Sequence, residues 1–118
     1  MKDGEHIGYY DSGEMRSKCN YLGGKLHGDH IAYLISGLIS IKCNYLDDNL
    51  HGECIYYYES GELESKCNYL DDNLHGEYIN YGESGDIKSK YYYINGDDVD
   101  ELEWICYNRN LKLEFLGL

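Results

Sequence analysis

Apolar and polar residues alternate along much of this chain, in short runs separated by turns rich in glycine or aspartate. In the segment ELESKCNY (62–69), Leu63 and Cys67 fall on one side of the alternation and charged or amide residues on the other. A period of two predicts a β-strand with one wetter face. The preceding run, ECIYYYE, is rich in the β-branched and aromatic residues that favour strands. The ESG tripeptide between the two runs therefore predicts a hairpin.

The same pattern returns every 24 residues, and KCNYLDDNLHGE occurs twice, at 42–53 and 66–77. Copies are predicted near 5–28, 29–52, 53–76 and 77–100, in one array over 1–118. A degenerate last copy, 101–118, is expected to act as a cap, since repeat arrays need atypical ends. Two strands and two tight turns per copy leave no room for a helix. The predicted fold is all-β: an elongated single-layer antiparallel β-meander of about eight to ten strands, built from 24-residue β-hairpin repeats.

The length of the hairpin loop decides which residues share a face of the sheet. A three-residue loop at 59–61 pairs Tyr57 with Leu63 and Ile55 with Ser65. A type I turn closed by a left-handed glycine has this length and this glycine position. It would place the recurrent Ile and Tyr columns on the same face as the Cys and Tyr columns. The second connection (LGGK, LDDN, LDDN, INGD) contains residues that tolerate positive φ and predicts another tight turn.

The segment HGECIYYYESGELESKCNYLDDNLHGE resembles the MORN repeat, in its bacterial and viral variant form. The Tyr-Tyr pair, the acid-Ser-Gly turn, the Tyr before the second turn and the His-Gly-Glu step match in register over about residues 4–100. Gly82 departs from the pattern, and so does YLISGLIS in the second copy. The resemblance implies a β-platform for binding or scaffolding, with family links to protein assembly, dimer formation, lipid contact and antitoxin components. It also implies no catalysis, which MORN-bearing enzymes keep in another domain.

Charge and cysteine usage narrow the classes of partner. The chain has 22 acidic and 10 basic residues, a net charge of −12, which opposes binding to nucleic acid and to anionic lipid surfaces. We therefore expect no nucleic-acid partner and regard a membrane as an unfavourable one. No apolar run approaches the roughly 20 residues of a membrane span, and the first residues lack the apolar core of a signal peptide. Five cysteines leave at least one thiol unpaired within the chain, so we expect a reducing cytoplasm.

The repeated Cys, His and Asp residues are of the types that commonly form metal or catalytic sites. Equivalent residues of adjacent copies lie two strands, or about 10 Å, apart, too far to share a disulfide or a zinc ion. We interpret the Cys column as packing, the His-Gly column as shaping the start of the next strand, and paired aspartates as solvated turns. The alternatives are a histidine switch or base and an aspartate calcium or acid–base site. Ser60 lacks a nucleophile elbow. We expect no catalytic residue, metal or cofactor.

The tyrosine columns favour a non-enzymatic scaffold or protein-binding module, because part of an aromatic, acid-rimmed surface would stay exposed for a protein partner. The alternatives are an antitoxin-like neutraliser of a basic partner, a lipid-surface module, and packing alone. A homodimer through the apolar last copy and an open sheet edge is also expected. The partner-binding candidates are Tyr9, Tyr33, Tyr57 and Tyr81 on one face, and Tyr10, Leu34 and Tyr58 in a variable, hence less structural, column. The self-association candidates are Trp104, Leu113, Phe115 and Leu116.

Overall fold

The computed structural model describes residues 3–115 and residue 117, without the side chain of Phe115. Within these residues it forms twelve strands followed by one helix. In chain order the elements are β1 (Gly4–Tyr9), β2 (Met15–Leu22), β3 (Lys25–Leu26), β4 (Gly28–Tyr33), β5 (Ile39–Leu46), β6 (Asn49–Leu50), β7 (Gly52–Tyr57), β8 (Leu63–Leu70), β9 (Asn73–Leu74), β10 (Gly76–Tyr81), β11 (Ile87–Ile94), β12 (Asp97–Val99) and α1 (Glu101–Phe115).

The strands form one open antiparallel sheet in hairpin order, β1-β2-β4-β5-β7-β8-β10-β11-β12. The two-residue strands β3, β6 and β9 pair back onto β2, β5 and β8. The described part of the chain measures 56 × 41 × 21 Å along its principal axes. The predicted all-β, elongated single-layer meander is confirmed. There are twelve strands rather than eight to ten, because a short strand forms after each second turn.

Each hairpin closes through a three-residue loop, as predicted. In the third copy, the Gly61 N–H donates to the Tyr58 carbonyl over 2.9 Å, and the Tyr58 N–H donates to the Glu62 carbonyl over 2.8 Å. Gly61 has φ +94°, a left-handed conformation that glycine adopts without a side-chain clash. Tyr57 then pairs with Leu63, as this loop length requires.

A second irregularity, just beyond the loop, changes which residues share a face. The register shifts between Tyr56 and Tyr57, so that Ile55 pairs with Lys66 rather than with Ser65. The other three hairpins show the same shift. The prediction that the Ile and Tyr columns lie on the face of the Cys columns is therefore wrong. One extra residue in the second strand is a β-bulge, and beyond it every side chain changes face.

The observed register divides the sheet into two faces. The first, which we call the cysteine face, carries in the third copy Cys54, Tyr56, Ser65, Cys67 and Tyr69. The second, which we call the lysine face, carries Glu53, Ile55, Tyr57, Lys66 and Asn68. Cys54 and Cys67 are each only 1% exposed and form the centre of the small core. On the lysine face, ion pairs join Lys18 to Glu5 (3.8 Å), Lys66 to Glu53 (3.7 Å) and Lys90 to Glu77 (3.4 Å).

The second connection of each copy is a two-residue turn whose residues both have positive φ. Asp71 and Asp72 have φ +48° and +71°, values typical of the type I′ turn that suits a right-twisted hairpin. Asp72 also bonds to the preceding copy: its Oδ1 accepts the Leu50 N–H over 2.7 Å, and its own N–H donates to the Leu50 carbonyl over 3.0 Å. Asp48 makes the same two bonds to Leu26. These aspartates are exposed, as predicted, but they also join neighbouring copies.

Glu101–Phe115 of the last copy form helix α1, so the prediction that this segment is a degenerate copy of the repeat is wrong there. Asp100 caps this helix, because its Oδ1 accepts the Glu103 N–H over 2.8 Å and its carbonyl accepts the Trp104 N–H over 3.1 Å. Aspartate followed three residues later by glutamate is a helix-start pattern. No glycine turn occurs between 101 and 115, so nothing in this segment closes a hairpin. The role of the segment as a cap stays a prediction.

Candidate protein-binding surface

The column of Tyr10, Leu34 and Tyr58 connects neighbouring hairpins. The Tyr10 hydroxyl donates to the Tyr33 carbonyl and the Tyr58 hydroxyl to the Tyr81 carbonyl, each over 2.6 Å. Leu34 occupies the same position in the second copy and has no hydroxyl to donate. The interpretation of this column as less structural is therefore wrong for its two tyrosines. Their rings nevertheless stay half-buried, so part of each remains open to a partner.

Two shallow clefts meet at the loop end of the third and fourth hairpins. The smaller, of about 340 Å³, is lined by Tyr57, Tyr58, Glu59, Ser60, Glu64 and Glu83. The larger, of about 520 Å³, is lined by Tyr58, Glu64, Asn80, Tyr81, Lys88 and Ser89. The two clefts share Tyr58 and Glu64, and we call the surface that they form together the tyrosine cleft. Its aromatic and acidic residues are Tyr57, Tyr58, Tyr81, Glu59, Glu64 and Glu83. It joins three of the predicted partner-binding residues in one place.

Local backbone features bring these side chains together. Tyr57 ends β7, and Tyr58 precedes the three-residue loop that contains Glu59. Glu64 is the extra residue of the bulge in β8, where β-bulges commonly redirect a side chain. Glu83 belongs to the loop of the next hairpin, which the Tyr58 hydrogen bond holds alongside.

The tyrosine cleft is electrostatically negative. Within the described part of the chain, Glu59, Glu64 and Glu83 make no ion pair, although glutamates of the lysine face do. Lys88 is the one cation among the described residues that line it. The arrangement matches the predicted aromatic surface rimmed by carboxylates, and it can accept hydrogen bonds from cations.

The remaining partner-binding candidates lie outside the tyrosine cleft. Tyr9 ends the edge strand β1 and is 57% exposed. Tyr33 ends β4, and both it and the adjacent Leu34 are half-buried. Tyr10 also lies outside it, so partner binding by these four residues stays a prediction.

The cysteine face offers no ready nucleophile in its centre. Burial raises the pKa of the Cys67 thiol to about 11 and the pKa of Tyr69 to about 12. Burial also raises the pKa of Tyr56, which shares a side-chain hydrogen bond with Tyr69. These groups stay protonated near neutral pH. The buried, free Cys67 agrees with the interpretation of this column as packing, whereas Cys43 of the same column is bonded to Cys54.

A disulfide joins Cys43 on β5 to Cys54 on β7, with their Cα atoms 4.2 Å apart. The separation of about 10 Å between equivalent residues of adjacent copies applies only within one column. Cys43 and Cys54 belong to different columns on adjacent strands, which the 24-residue period does not reveal. Cys19, Cys67 and Cys106 are free thiols, with Cys106 exposed.

The histidine column lies at the step between copies. The backbone N–H of His75 donates to the Asn68 carbonyl over 2.9 Å, and its Nδ1 accepts the Asn95 N–H over 3.1 Å. The Nδ1 atoms of His27 and His51 are buried and have no hydrogen-bond partner among the described residues. In that same part of the chain, no group of three or more His, Cys, Asp or Glu side chains is placed to hold a metal ion.

Helix α1 docks on the sheet through a small aromatic cluster. The His75 ring meets the rings of Trp104 and Tyr107 edge-on, each at 5.5 Å between centroids, and these two rings stack at 5.8 Å. Trp104, a self-association candidate, is thus occupied within the chain, whereas Leu113 is 40% exposed. The side chain of Phe115 and all of Leu116 lie outside the described residues. Self-association stays a prediction.

Three segments of the chain that match a known protein family coincide with three of its hairpins. The family described as "MORN repeat variant" matches residues 2–22, 50–71 and 74–95, more than half of the chain. The chain belongs to the MORN repeat variant family. MORN repeats are non-catalytic modules that typically bind proteins or membranes. The family resemblance seen in the sequence is therefore confirmed. Among the described residues of this MORN array, no helix is long and apolar enough to cross a membrane.

No curated protein sequence matches this MORN array. It is similar to a chain in the solved structure titled "Crystal structure of GtfA/B complex bound to UDP and GlcNAc", with 16% sequence identity and a TM-score of 0.44. The match covers 95% of the MORN array and 25% of that chain, so the array spans about a quarter of its length.

Proposed function

We propose that this MORN array is a non-enzymatic binding module whose tyrosine cleft takes a basic segment of a protein partner. One observation carries the proposal: three glutamates that make no ion pair with any described residue line the two clefts together with three half-buried tyrosines. An arginine or lysine of the partner would donate charge-assisted hydrogen bonds to the glutamates. The same cation would lie over a tyrosine ring, a contact worth about 0.5–2 kcal/mol.

The charge of the whole chain supports the same class of partner. A net charge of −12 steers basic proteins toward the array and opposes approach to anionic lipids, which disfavours the lipid-surface alternative. An antitoxin-like neutraliser is the narrower form of this proposal, in which the basic partner is a toxin. Co-expression with the basic proteins encoded beside it, scored by cell growth, separates that form from a general scaffold. The expected site of action is the cytoplasm, where the adjacent Cys43 and Cys54 would be kept as thiols.

A labelled basic peptide tests the tyrosine cleft directly. The probe is a short fluorescein-labelled peptide in which arginine alternates with leucine, and the readout is anisotropy. A variant with Glu59→Gln, Glu64→Gln and Glu83→Gln should bind at least about tenfold more weakly, since charged hydrogen bonds are lost. The matched control carries Asp47→Asn, Asp71→Asn and Asp98→Asn, which removes the same charge from exposed turn and strand positions.

The comparison of the two triple variants decides the proposal. If both lose affinity equally, only net charge attracts the peptide and the tyrosine cleft is not a site. Affinity capture from the host, with Tyr57→Ala and Tyr81→Ala as separate baits, then identifies the natural partner. Light scattering over a concentration series tests the expected homodimer independently, because a dimer needs no basic peptide.

A further inference from the structure

A groove of about 500 Å³ separates helix α1 from the lysine face of the last hairpin. We call it the basic groove. Its sheet side consists of Glu77, Lys90 and Tyr92. Its helix side consists of Glu101, Trp104, Ile105, Asn108, Arg109, Lys112 and Leu113. It lies at the helix end of the last hairpin, and although it shares strands β10 and β11 with the tyrosine cleft, the two have no lining residue in common.

The groove stays open because the helix meets the sheet mainly through its first half. Trp104 and Tyr107 hold it against His75. Positions three and four residues apart share one side of a helix, so Ile105, Arg109 and Leu113 extend along the groove as one stripe. Ile105 is 51% exposed and Leu113 is 40% exposed. The stripe therefore offers apolar surface on both sides of a cation.

The cations of the groove are incompletely paired. Lys90 contacts Glu77 at 3.4 Å and also lies 5.7 Å from the centre of the Tyr92 ring. Arg109 and Lys112 have no carboxylate within 4 Å in the described part of the chain. This is notable in a chain with 22 acidic residues and 10 basic ones. The groove is thus lined by three cations and two carboxylates, Glu77 and Glu101, a balance opposite in sign to that of the whole chain.

We propose that the basic groove binds an acidic peptide segment of a partner protein. Carboxylates of the segment pair with Arg109 and Lys112, and a neighbouring apolar side chain packs on Leu113 and Ile105. The exposed apolar stripe of Ile105 and Leu113 favours a peptide over a nucleic acid, because a phosphate backbone has no apolar side chain to pack on it. The groove is a second site, chemically independent of the tyrosine cleft.

An anisotropy titration with an acidic probe tests the proposal on the full chain. The probe is a short fluorescein-labelled peptide in which pairs of glutamates alternate with leucine. The wild-type chain should bind it, and raising the salt concentration should weaken binding. Arg109→Gln and Lys112→Gln should each weaken binding about five- to tenfold, because each removes a charged hydrogen-bond donor. Leu113→Asn should also weaken binding, through the apolar contact.

Lys25→Gln supplies the matched control, because it removes an equally exposed cation on β3, far from the helix in the sheet order. It should leave affinity for the acidic probe unchanged. Trp104 is the sole tryptophan and lines the groove, so its emission should shift when unlabelled acidic peptide is added. Circular dichroism identifies any variant that loses its helix, and such a variant is replaced by Arg109→Lys, which keeps the charge and should retain binding.

Several outcomes would overturn the proposal. One is equal binding of a control peptide with glutamine at each glutamate position; another is an equal loss of affinity in Lys25→Gln. Complete displacement of the peptide by millimolar inorganic phosphate would assign the groove to a small anion instead. A concentration-dependent dimer that Arg109→Gln abolishes would assign it to a second copy of this chain. None of these results bears on the basic-peptide titration of the tyrosine cleft.

Discussion

The Tyr58 hydroxyl donates a hydrogen bond of 2.6 Å to the main-chain carbonyl of Tyr81, which lies in the next hairpin along the sheet. A side chain of one copy thereby fixes the backbone of its neighbour beside the loop end, where the ladder between copies is short. Only Ile79 and Asn80 pair with β8 across that boundary. The tyrosine cleft is thus held in shape by one of the residues that line it.

Removing this hydroxyl should destabilise the fold without changing its shape. Tyr58→Phe should lower the free energy of unfolding by about 1–2 kcal/mol, because the Tyr81 carbonyl loses its partner in a half-buried position. Urea denaturation followed by circular dichroism measures the change. Tyr57→Phe is the matched control, since the Tyr57 hydroxyl makes no hydrogen bond to the part of the chain that the structure describes. A similar cost for both variants would show that the inter-copy bond is not the cause.

The second copy allows the opposite experiment. Leu34 occupies the position of Tyr10 and Tyr58, so Leu34→Tyr should place a hydroxyl near the Tyr57 carbonyl. We expect a gain of about 0.5–1 kcal/mol, the usual net value of one such bond. A loss of stability would mean that the second hairpin cannot accommodate the ring.

The aspartates of the second turn should contribute through two separable effects. Asp72→Ala should cost about 1–3 kcal/mol, because it loses the bond to the Leu50 N–H and places alanine at positive φ. Asp71→Ala keeps that bond and should show the backbone cost alone, since Asp71 also has positive φ. The difference between the two midpoints in urea measures the inter-copy bond. Equal losses of stability in the two variants would show that the bond between copies does not contribute.

His75 should determine whether helix α1 stays docked. His75→Ala removes two edge-on ring contacts, each worth about 0.5–1.5 kcal/mol. Trp104 emission should shift to longer wavelength while the strand signal in circular dichroism persists. His51→Ala is the control, because no ring contact with the helix is observed for His51 among the described residues. An unchanged emission maximum would show that the helix docks without His75.

Cys67 should make stability fall in alkaline solution. Its pKa is raised from 9.0 to about 11 by burial, so the folded state holds the proton more tightly than the unfolded chain. This contribution is complete below pH 9 and is lost as pH rises through about 11. Cys67→Ala should flatten the fall in melting temperature over that window.

Exposed Cys106 should react with iodoacetamide at neutral pH much faster than Cys67.

Turn chemistry and the main architecture could be predicted from the sequence, because glycine and aspartate at fixed positions leave few backbone solutions. The three-residue loop at Gly61 and the positive φ of Asp71 and Asp72 are examples. The face of Ile55 could not be predicted, because no residue type marks the bulge at Glu64, and one extra residue reverses the alternation.

The candidate site could be predicted from the sequence only in part, for related reasons. Tyr57, Tyr58 and Tyr81 could be selected from their columns, but their meeting with Glu64 depends on the bulge. The basic groove could not be predicted, because residues 101–118 follow the 24-residue period whereas Glu101–Phe115 form a helix. The Asp100–Glu103 capping pattern was the available signal for a helix there. The Cys43–Cys54 disulfide joins different columns, which a search at a period of 24 does not compare.

The bonds between copies join residues about one repeat apart in the sequence, with separations of 22 and 23 residues. Asp72 reaches back to Leu50, and Tyr58 reaches forward to Tyr81. Because both bonds link adjacent copies, adding copies would raise the number of such contacts without lengthening the loops that must close to form them. Contact order relative to chain length would fall as the array grows, so a longer array should not fold more slowly at each step. Duplication of one 24-residue unit would therefore extend this sheet without lengthening any loop that must close during folding.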